Sequence, residues 1–238
     1  MYDFTNQVVM VTGAIGNLGS VLSWTFQARG AKLVLMDRGE ERLKQTFHDL
    51  VSSPDYLLVD CADLMDEGSV EASVMQAIQH FGKIDVLVNT VGGFRAGTPL
   101  HETDIETWDF MLKLNGRSIF IASKKVIPHM LDQGSGKIVN LAARPGLAGQ
   151  AGMAAYSASK AAVMRLTESM AAEYKDKGIN VNCVIPGTID TPPNREAMPD
   201  ADFSAWVAPE SLADVILFLC SHAARDIHGA AVPVYGNS

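Results

Sequence analysis

The sequence predicts an α/β protein: a single doubly wound domain with a seven-stranded parallel sheet. Two observations lead to this prediction. The spacing of apolar residues switches repeatedly between short continuous runs and helical periodicity along all 238 residues. The short runs are almost wholly apolar, as expected of parallel strands that crossover helices bury on both faces. Because no linker, tandem repeat or low-complexity tract interrupts the pattern, we expect one domain over residues 1–238.

Short β-branched or apolar runs define the strands. Gln7–Val11 is the first of them, and Pro186-Gly187 ends the sixth. The predicted strands are Gln7–Val11, Lys32–Met36, Tyr56–Val59, Ile84–Val88, Lys137–Leu141, Ile179–Ile185 and Ala231–Val234.

Stretches with helical spacing separate these strands. Gly82 and Gly178 each follow such a stretch, as C-terminal glycines of helices do. The predicted helices are Leu18–Ala28, Glu40–Val51, Glu67–Phe81, Ile105–Leu131, Met153–Lys177 and Pro209–His222. Residues 186–208 form the one long irregular stretch. It follows the sixth strand, at the edge where open α/β sheets bind ligands, and is therefore a candidate substrate lid.

Composition excludes several classes of partner. With 19 basic and 27 acidic residues the formal net charge is −8, and an acidic chain gains nothing from the counterion release that drives binding to nucleic acid. No apolar run reaches the roughly 18 residues of a membrane span. The first residues carry neither a basic region nor a long apolar stretch, so we expect no signal peptide. We expect no nucleic acid, no membrane, and a cytoplasmic location.

Cysteine and histidine usage argues against a metal site. The three cysteines are far apart and lie in apolar runs, as expected of buried, reduced thiols in a cytosolic protein. The six histidines are scattered, without the spacing of metal ligands. We therefore predict no metal ligands.

A glycine-rich turn follows the first predicted strand and opens the first helix. It reads Thr12-Gly13-Ala14-Ile15-Gly16-Asn17-Leu18-Gly19. Glycines permit a tight turn and the close approach of backbone to a pyrophosphate, which the N-terminus of the helix attracts. A turn that only caps a helix looks similar, but this position between strand and helix is the one that dinucleotide binding requires.

Asp37 ends the second strand, where a carboxylate can accept hydrogen bonds from both ribose hydroxyls of the adenosine. It would repel the 2′-phosphate of NADP, so the residue favours NAD. Arg38 beside it could receive that phosphate or be a solvated surface charge. We expect NAD, with NADP as the alternative.

Tyr156 and Lys160 lie one helical turn apart in the segment Tyr156-Ser157-Ala158-Ser159-Lys160, so they project from the same face. A phenol titrates near ~10, too high for efficient proton transfer at neutral pH, and a nearby ammonium lowers that value. The pair alone is common on helices. Its place after the fifth strand of a dinucleotide fold favours catalysis.

Taken together and in this order, the motifs resemble the short-chain dehydrogenase/reductase family over nearly the whole chain. The matching segments are the Thr12-to-Gly19 turn, Asp63-Leu64, Asn89-Thr90-Val91-Gly92, Asn115, the Tyr156-to-Lys160 segment and Pro186-Gly187-Thr188-Ile189-Asp190-Thr191. Each piece is common, but the set is specific.

The resemblance implies a Rossmann-type domain that transfers a hydride between the nicotinamide of NAD(P) and a small carbonyl or alcohol. Tyr156 would be the general acid or base at the substrate oxygen. Lys160 would hold the nicotinamide ribose and tune Tyr156, and Asn115 would hold a water in a proton relay. The implied cofactor-binding residues are Gly13, Asn17, Leu18, Asp37, Asp63, Leu64, Asn89, Tyr156, Lys160, Ile189 and Thr191.

Within that set, the resemblance assigns the two ends of the cofactor separately. Asp63 and the backbone of Leu64 would meet the adenine, and Asn89 would stabilise the turn under the adenosine ribose. Ile189 and Thr191 would meet the carboxamide of the nicotinamide. The family also implies a homo-oligomer, a tetramer or a dimer, paired through the two long helices.

One departure from the family matters for catalysis. Its catalytic serine normally lies 13 residues before the tyrosine, and that position is Ala143 here. Loss of one such donor typically lowers turnover about 10²–10³-fold. Three explanations are open. Another group replaces the serine hydroxyl, the substrate does not need it, or the chain binds cofactor and catalyses poorly. Arg144 is the nearest polar residue, and as a sequence neighbour at a strand end we expect it to point away.

Two branches of the family share the resemblance. The sequence of the Tyr156-to-Lys160 segment resembles that of the 3-oxoacyl-carrier-protein reductases. Residues 189–206 and Val91-Gly92-Gly93-Phe94 look like the dihydropteridine reductases, which lack the serine. In that alternative the substrate is a quinonoid pterin reduced by NADH, with Phe94 and Trp206 as flat ring contacts, or Trp206 simply packs the lid. A third alternative is a dinucleotide-binding module with little catalysis.

Overall fold

The computed structural model describes residues 2–61 and 63–237. Seven parallel strands form one sheet in the order β3-β2-β1-β4-β5-β6-β7, which confirms the predicted fold class. The strands are β1 (Val8–Thr12), β2 (Lys32–Asp37), β3 (Tyr56–Asp60), β4 (Val86–Asn89), β5 (Gly136–Leu141), β6 (Ile179–Pro186) and β7 (Ala231–Val234). The chain order reverses between β1 and β4, and such a switch point opens a crevice for ligands at the carboxyl ends of the strands.

Helices cover both faces of the sheet. They are α1 (Asn17–Gln27), α2 (Glu40–Thr46), α3 (Glu67–Phe81), α4 (Ile105–Leu112), α5 (Ser118–Gln133), α6 (Ala154–Tyr174), α7 (Pro192–Ala197) and α8 (Pro209–Cys220). One apolar core packs α1, α2 and α8 against the sheet, and a second packs α3, α5 and α6 against the other face. Along β1, Val9 faces the first core and Met10 the second, which explains why residues 8–11 of this strand are all apolar.

The predicted strands are found within two residues of their expected bounds, whereas three helices differ in detail. The helix predicted over Glu40–Val51 is α2 followed by a 3₁₀ turn at His48–Leu50, and the C-terminal end of the helix predicted over Met153–Lys177 is 3₁₀ at Lys175–Lys177. The helix predicted over Ile105–Leu131 is continuous through α4 and α5, but one turn between them, Lys113–Arg117, is π-helical. Single π turns inside α-helices occur frequently at functional sites.

The segment over residues 186–208 is more ordered than an irregular loop. Val207 N–H donates to Thr188 O at 2.8 Å and Asp190 N–H donates to Val207 O at 2.8 Å, so the segment closes at its base. Within it, Arg195 forms a two-point ion pair with Asp190 at 2.6 and 2.7 Å. The guanidinium of Arg195 lies over the ring of Phe203, which in turn packs on Trp206.

None of the helices in the described residues is long and apolar enough to cross a membrane. Cys61, Cys183 and Cys220 are buried free thiols, as predicted. Burial raises the pKa of Cys183 to about 11, so this thiol stays protonated at neutral pH.

Candidate active site

The glycine-rich turn of residues 12–19 is shaped by close backbone contacts. Gly13 has φ +75°, a left-handed conformation that favours glycine. A Cβ on Gly19 would collide with the carbonyl of Gly13, so the first turn of α1 packs directly on the turn. Gly16 occupies the N-cap position and contributes no side chain there. The N–H groups of the first helical turn are therefore left for a ligand to satisfy.

Thr90, at the end of β4, stabilises this turn from the neighbouring strand. Its hydroxyl donates to Thr12 O at 2.7 Å and lies 3.3 Å from Gly13 O. The sequence analysis did not predict this contact of Thr90 with the glycine-rich turn, although the position of Thr90 beside the switch point could have indicated it.

Asp37 lies at the carboxyl end of β2 and faces the same turn. Its two carboxylate oxygens accept hydrogen bonds from Ile15 N–H at 2.9 Å and Arg38 N–H at 2.7 Å. These two bonds fix the orientation of the carboxylate. Asp63 is exposed after β3, where it accepts a hydrogen bond from Met65 N–H at 2.8 Å, and the neighbouring Leu64 is half-buried.

Asn89 is buried in a chain of polar side chains beneath the switch point. Its amide donates to Asn140 Oδ1 at 2.9 Å, and its carbonyl accepts from the Thr12 hydroxyl at 3.2 Å. Asn140 donates in turn to Thr167 of α6 at 2.9 Å. The chain ties the ends of β1, β4 and β5 to the helix that carries Tyr156, so Asn89 lies below the turn rather than in the cleft.

Tyr156 is half-buried near the start of α6, with the ring of Phe94 packed edge-on against it at a centroid distance of 4.8 Å. Burial raises the pKa of Tyr156 to about 12. Lys160 was expected to lower the pKa of Tyr156. Among the chain's own groups the net shift is upward instead, because desolvation of the phenolate dominates. The phenol is protonated at neutral pH.

Lys160 is 4% exposed, and its ammonium donates to Leu141 O at the end of β5 at 2.8 Å. Burial lowers the pKa of Lys160 to about 8. Gly92 makes room for this side chain, since a Cβ there would lie 3.2 Å from Lys160 Nζ and 3.0 Å from Asn115 Oδ1. Glycine at this position lets Lys160 and Asn115 approach each other beneath the cleft.

Asn115 lies in the π-helical turn and is fully buried. Its carbonyl accepts from Gly93 N–H at 2.9 Å, and its amide donates to Gly93 O at 3.1 Å and to the Ser159 hydroxyl at 2.9 Å. Ser159 donates to Tyr156 O at 2.7 Å. This link from Asn115 to the turn of α6 that holds Tyr156 was missed in the sequence, although Ser159 shares a helical face with Tyr156.

These elements enclose a cleft of about 870 Å³ beyond the carboxyl ends of the strands. Of the predicted site residues, Asn17, Leu18, Tyr156, Lys160, Ile189 and Thr191 line it. Ala143 lines it as well, with its backbone extended. Arg144 is an exposed residue of the cleft lining, and its guanidinium lies over the ring of Tyr235, with Cζ 4.9 Å from the ring centroid.

The segment over residues 186–208 contributes Ile189 and Thr191 to the cleft wall. Asn194 donates to Ile189 O at 2.8 Å and keeps that backbone in place. Trp206 packs on Phe203 within the segment, which matches the alternative in which it packs the lid. Phe94, by contrast, lines the cleft. Among residues 2–61 and 63–237, no group of His, Cys, Asp or Glu side chains is arranged to hold a metal ion.

The arrangement defines a class of protein: a dinucleotide-binding fold with a tyrosine and a lysine at one cleft. Comparison with known proteins agrees, since the short chain dehydrogenase family model matches residues 7–202. The chain belongs to the short-chain dehydrogenase/reductase family. It is an oxidoreductase of that family, whose members use the nicotinamide cofactors NAD(P).

Individual relatives span almost the whole chain. The 2-(R)-hydroxypropyl-CoM dehydrogenase of Xanthobacter autotrophicus is 35% identical over 97% of this chain and 98% of its own. The 3-oxoacyl-[acyl-carrier-protein] reductase of Thermotoga maritima is 29% identical over 97% of this chain and 96% of its own. The crystal structure of levodione reductase aligns with a TM-score of 0.89 at 31% identity, covering 98% of this chain and 97% of that one.

Proposed function

We propose that the protein transfers a hydride between NAD(H) and a small carbonyl or alcohol substrate, with Tyr156 as the general acid or base. One observation carries the proposal: Tyr156 and Lys160 line the same cleft as the glycine-capped N-terminus of α1. Tyr156 can donate a proton, and the N-terminus of α1 attracts a pyrophosphate. Residues 186–208 are then a substrate lid, because Ile189, Thr191 and Met198 of this segment line the cleft.

The residues present fit a nicotinamide dinucleotide. The glycines of the turn leave space that a Cβ would fill, Asp37 offers an oriented carboxylate, and Lys160 lies beneath the cleft. When bound, the cofactor supplies or accepts the hydride. The Gly16-to-Gly19 backbone would hold its pyrophosphate, and Ile189 and Thr191 would hold the carboxamide. Asp63 and Leu64 would meet the adenine, and Asn89 would support the turn below it.

The chain's own groups favour carbonyl reduction. Tyr156 keeps its proton at neutral pH because burial raises its pKa, so it can donate that proton to a carbonyl oxygen as negative charge develops there. A cationic Lys160 would stabilise the phenolate that remains. Asn115 would hold a water behind Lys160 through which the proton is replaced.

Cofactor choice is testable at Asp37. Asp37→Ser is expected to shift the ratio of kcat/KM for NADH over NADPH by about 100-fold toward NADPH, because it removes a carboxylate that repels the 2′-phosphate. The measurement is initial rates with both cofactors and one carbonyl substrate. Asp60, the partner of Asp37 in the parallel register, is the matched control, and Asp60→Ser should shift the ratio much less. Equal shifts in the two variants would contradict a specific role for Asp37.

A second candidate function is the reduction of a quinonoid dihydropterin by NADH. Two observations favour it. The cleft lining has the methyl group of Ala143 at the position from which a hydrogen-bond donor would polarise a ketone. The flat ring of Phe94 also lines the cleft, beside Tyr156. An electron-poor conjugated ring accepts a hydride more readily than a ketone does, so it needs that donor less. The third possibility, cofactor binding without useful catalysis, predicts no turnover with either substrate class.

Ala143→Ser separates these candidates. With a ketone substrate, we expect the added hydroxyl to raise kcat at least tenfold, since it supplies a donor to the developing oxyanion. With a quinonoid dihydropterin, we expect a change below about threefold. The assay is stopped-flow oxidation of NADH, and Ala143→Cys is the matched control because its thiol has similar size but is a weak donor. Cofactor binding without turnover of any substrate by either protein would reject the proposed function.

Assembly and location extend the proposal. Ile105 and Phe120 are exposed apolar side chains on the long helical segment of α4 and α5, 66% and 49% accessible. Burial of these side chains against a second copy would remove apolar surface from water. We therefore propose a homodimer or homotetramer, acting in the cytoplasm.

A further inference from the structure

The cleft lining contains two large apolar side chains that are exposed to solvent. Phe94 is 61% accessible and Met198 is 41% accessible. Ala143, Met153 and Pro193 add further apolar surface to the same lining. Pockets for small molecules are lined mainly by apolar and aromatic side chains. Exposed side chains of this kind in a cleft therefore indicate where an apolar part of a ligand binds.

The backbone is anchored on both sides of Phe94. Before it, Gly93 N–H donates to Asn115 Oδ1 at 2.9 Å, and Gly93 O accepts from the Asn115 amide at 3.1 Å. After it, Gly97 N–H donates to Gly152 O at 2.9 Å, two residues before α6 begins. A fixed backbone thus carries the exposed ring of Phe94, which lowers the entropy that a ligand loses by ordering its site.

Phe94 also lies beside the group that is proposed to react. Its ring packs edge-on against Tyr156, with 4.8 Å between the ring centroids. A carbonyl oxygen that accepts a hydrogen bond from the phenol lies about 2.8 Å from the phenol oxygen. Because the two rings are in contact, a group bonded to that carbonyl carbon is within reach of Phe94. Most of the Phe94 side chain stays exposed after its contact with Tyr156, so ring surface is left for such a group.

Met198 adds a second apolar contact from the segment over residues 186–208. It follows α7 directly, and its N–H donates to Asn194 O at 3.0 Å. The thioether side chain of methionine is flexible and makes favourable contacts with aromatic rings. Met198 can therefore adjust its side chain to a ring that lies on Phe94.

We propose that Phe94 and Met198 form an aryl subsite, so that the natural substrate is a carbonyl or hydroxyl compound with an aromatic ring close to the reacting carbon. This inference rests on the proposed function and names its substrate class. Aromatic rings pack edge-to-face or offset on one another, and methionine sulfur contacts them at the ring edge. Such a ring would hold the carbonyl beside Tyr156 and replace part of the positioning that a hydroxyl at residue 143 would supply.

The test compares an aryl ketone with a small alkyl ketone. The probes are acetophenone and acetone, reduced with NADH by the full chain and by Phe94→Ala. We expect Phe94→Ala to lower kcat/KM for acetophenone about 10- to 100-fold, mainly through KM, and to change the value for acetone less than threefold. An equal loss for both ketones would show that Phe94 acts only through Tyr156 and would overturn the inference. No loss for either ketone would overturn it as well, and both results leave carbonyl reduction intact.

A third ketone tests the preference for an aromatic ring. Cyclohexyl methyl ketone has a saturated ring of similar size, so it keeps the apolar contact and lacks the interaction between π systems. We expect Phe94→Ala to lower kcat/KM for this ketone less than for acetophenone. An equal loss for the two ring ketones would overturn the assignment of an aromatic substrate.

Three variants serve as controls. Phe94→Tyr keeps an aromatic ring and should retain the preference for acetophenone over acetone within threefold. Met198→Ala should lower that preference about 3- to 10-fold, because it removes part of the apolar contact. Met75 on α3 has the same accessibility of 41%, so Met75→Ala is the matched control and should leave the preference unchanged. Equal effects of the two methionine variants would overturn the assignment of Met198 to the aryl subsite.

A binding measurement separates failure of the inference from failure of the proposed function. Calorimetric titration of the full chain with 1-phenylethanol, in the presence of NADH, requires no turnover. Binding that Phe94→Ala weakens at least tenfold supports the inference even if neither ketone is reduced. Binding that is equal in the wild type and in Phe94→Ala, or absent from both, would overturn it, whatever the turnover shows.

Discussion

Replacing Tyr156 with phenylalanine is expected to lower the turnover of carbonyl reduction about 10²–10⁴-fold, the range that a positioned general acid contributes. The phenol hydroxyl is the only group that the change removes. The ring stays packed against Phe94, so the cleft keeps its shape. Because burial raises the pKa of Tyr156, the wild-type phenol is a proton donor throughout the neutral range, and the variant has none at that place. Single-turnover oxidation of NADH measures the loss without contributions from product release.

The matched control for this variant lies on the same helix. Tyr174 ends α6, far from the cleft, with Lys177 over its ring. Tyr174→Phe makes the same chemical change there and should leave turnover within twofold of the wild type. Tyr174→Phe should bind NADH as the wild type does, and the Kd of Tyr156→Phe for NADH is measured beside it so that a loss of cofactor binding is separated from a loss of turnover. A Tyr156→Phe protein that binds NADH and retains more than a tenth of the wild-type turnover would show that another group delivers the proton.

The fold could be predicted from the sequence because local pattern and tertiary burial agree in it. β1 and β6 are buried along their whole length because helices cover both faces of the sheet, and their mostly apolar runs are distinct from the helical spacing around them. The glycine-rich turn could be placed for a related reason. Close backbone contacts at Gly13 and Gly19 require glycine, and that requirement is visible in the sequence.

Details that depend on packing between distant segments could not be predicted in this way. The π-helical turn around Asn115 carries no separate sequence pattern, because the residues before and after it keep helical spacing. Arg144 begins the 3₁₀ turn that follows β5 and lies over the ring of Tyr235, a contact between distant segments that the sequence pattern does not show. The direction of the pKa shift of Tyr156 depends on how deeply the phenol is buried, and sequence spacing to Lys160 says nothing of that.

Lys160 should make the stability of the protein depend on pH in a way that Lys160→Met removes. Burial lowers the pKa of Lys160 from 10.5 to about 8, so the folded state releases this proton before the unfolded state does. Below about pH 8 the buried ammonium opposes folding at full strength. As the pH rises toward 10.5, the unfolded chain also loses its proton and the penalty disappears. The wild type should therefore gain about 3 kcal/mol relative to Lys160→Met across this range.

Urea unfolding at several values between pH 7.5 and 10.5 measures this difference. Titration of all other groups is common to both proteins and cancels when one free energy of unfolding is subtracted from the other. Lys177, exposed in the 3₁₀ turn after α6, provides the control, since Lys177→Met should follow the wild-type pH dependence. If the difference in the free energy of unfolding between wild type and Lys160→Met does not change with pH, the buried ammonium does not oppose folding. Because we propose that Lys160 holds the ribose of the nicotinamide, the same variant should also bind NADH more weakly.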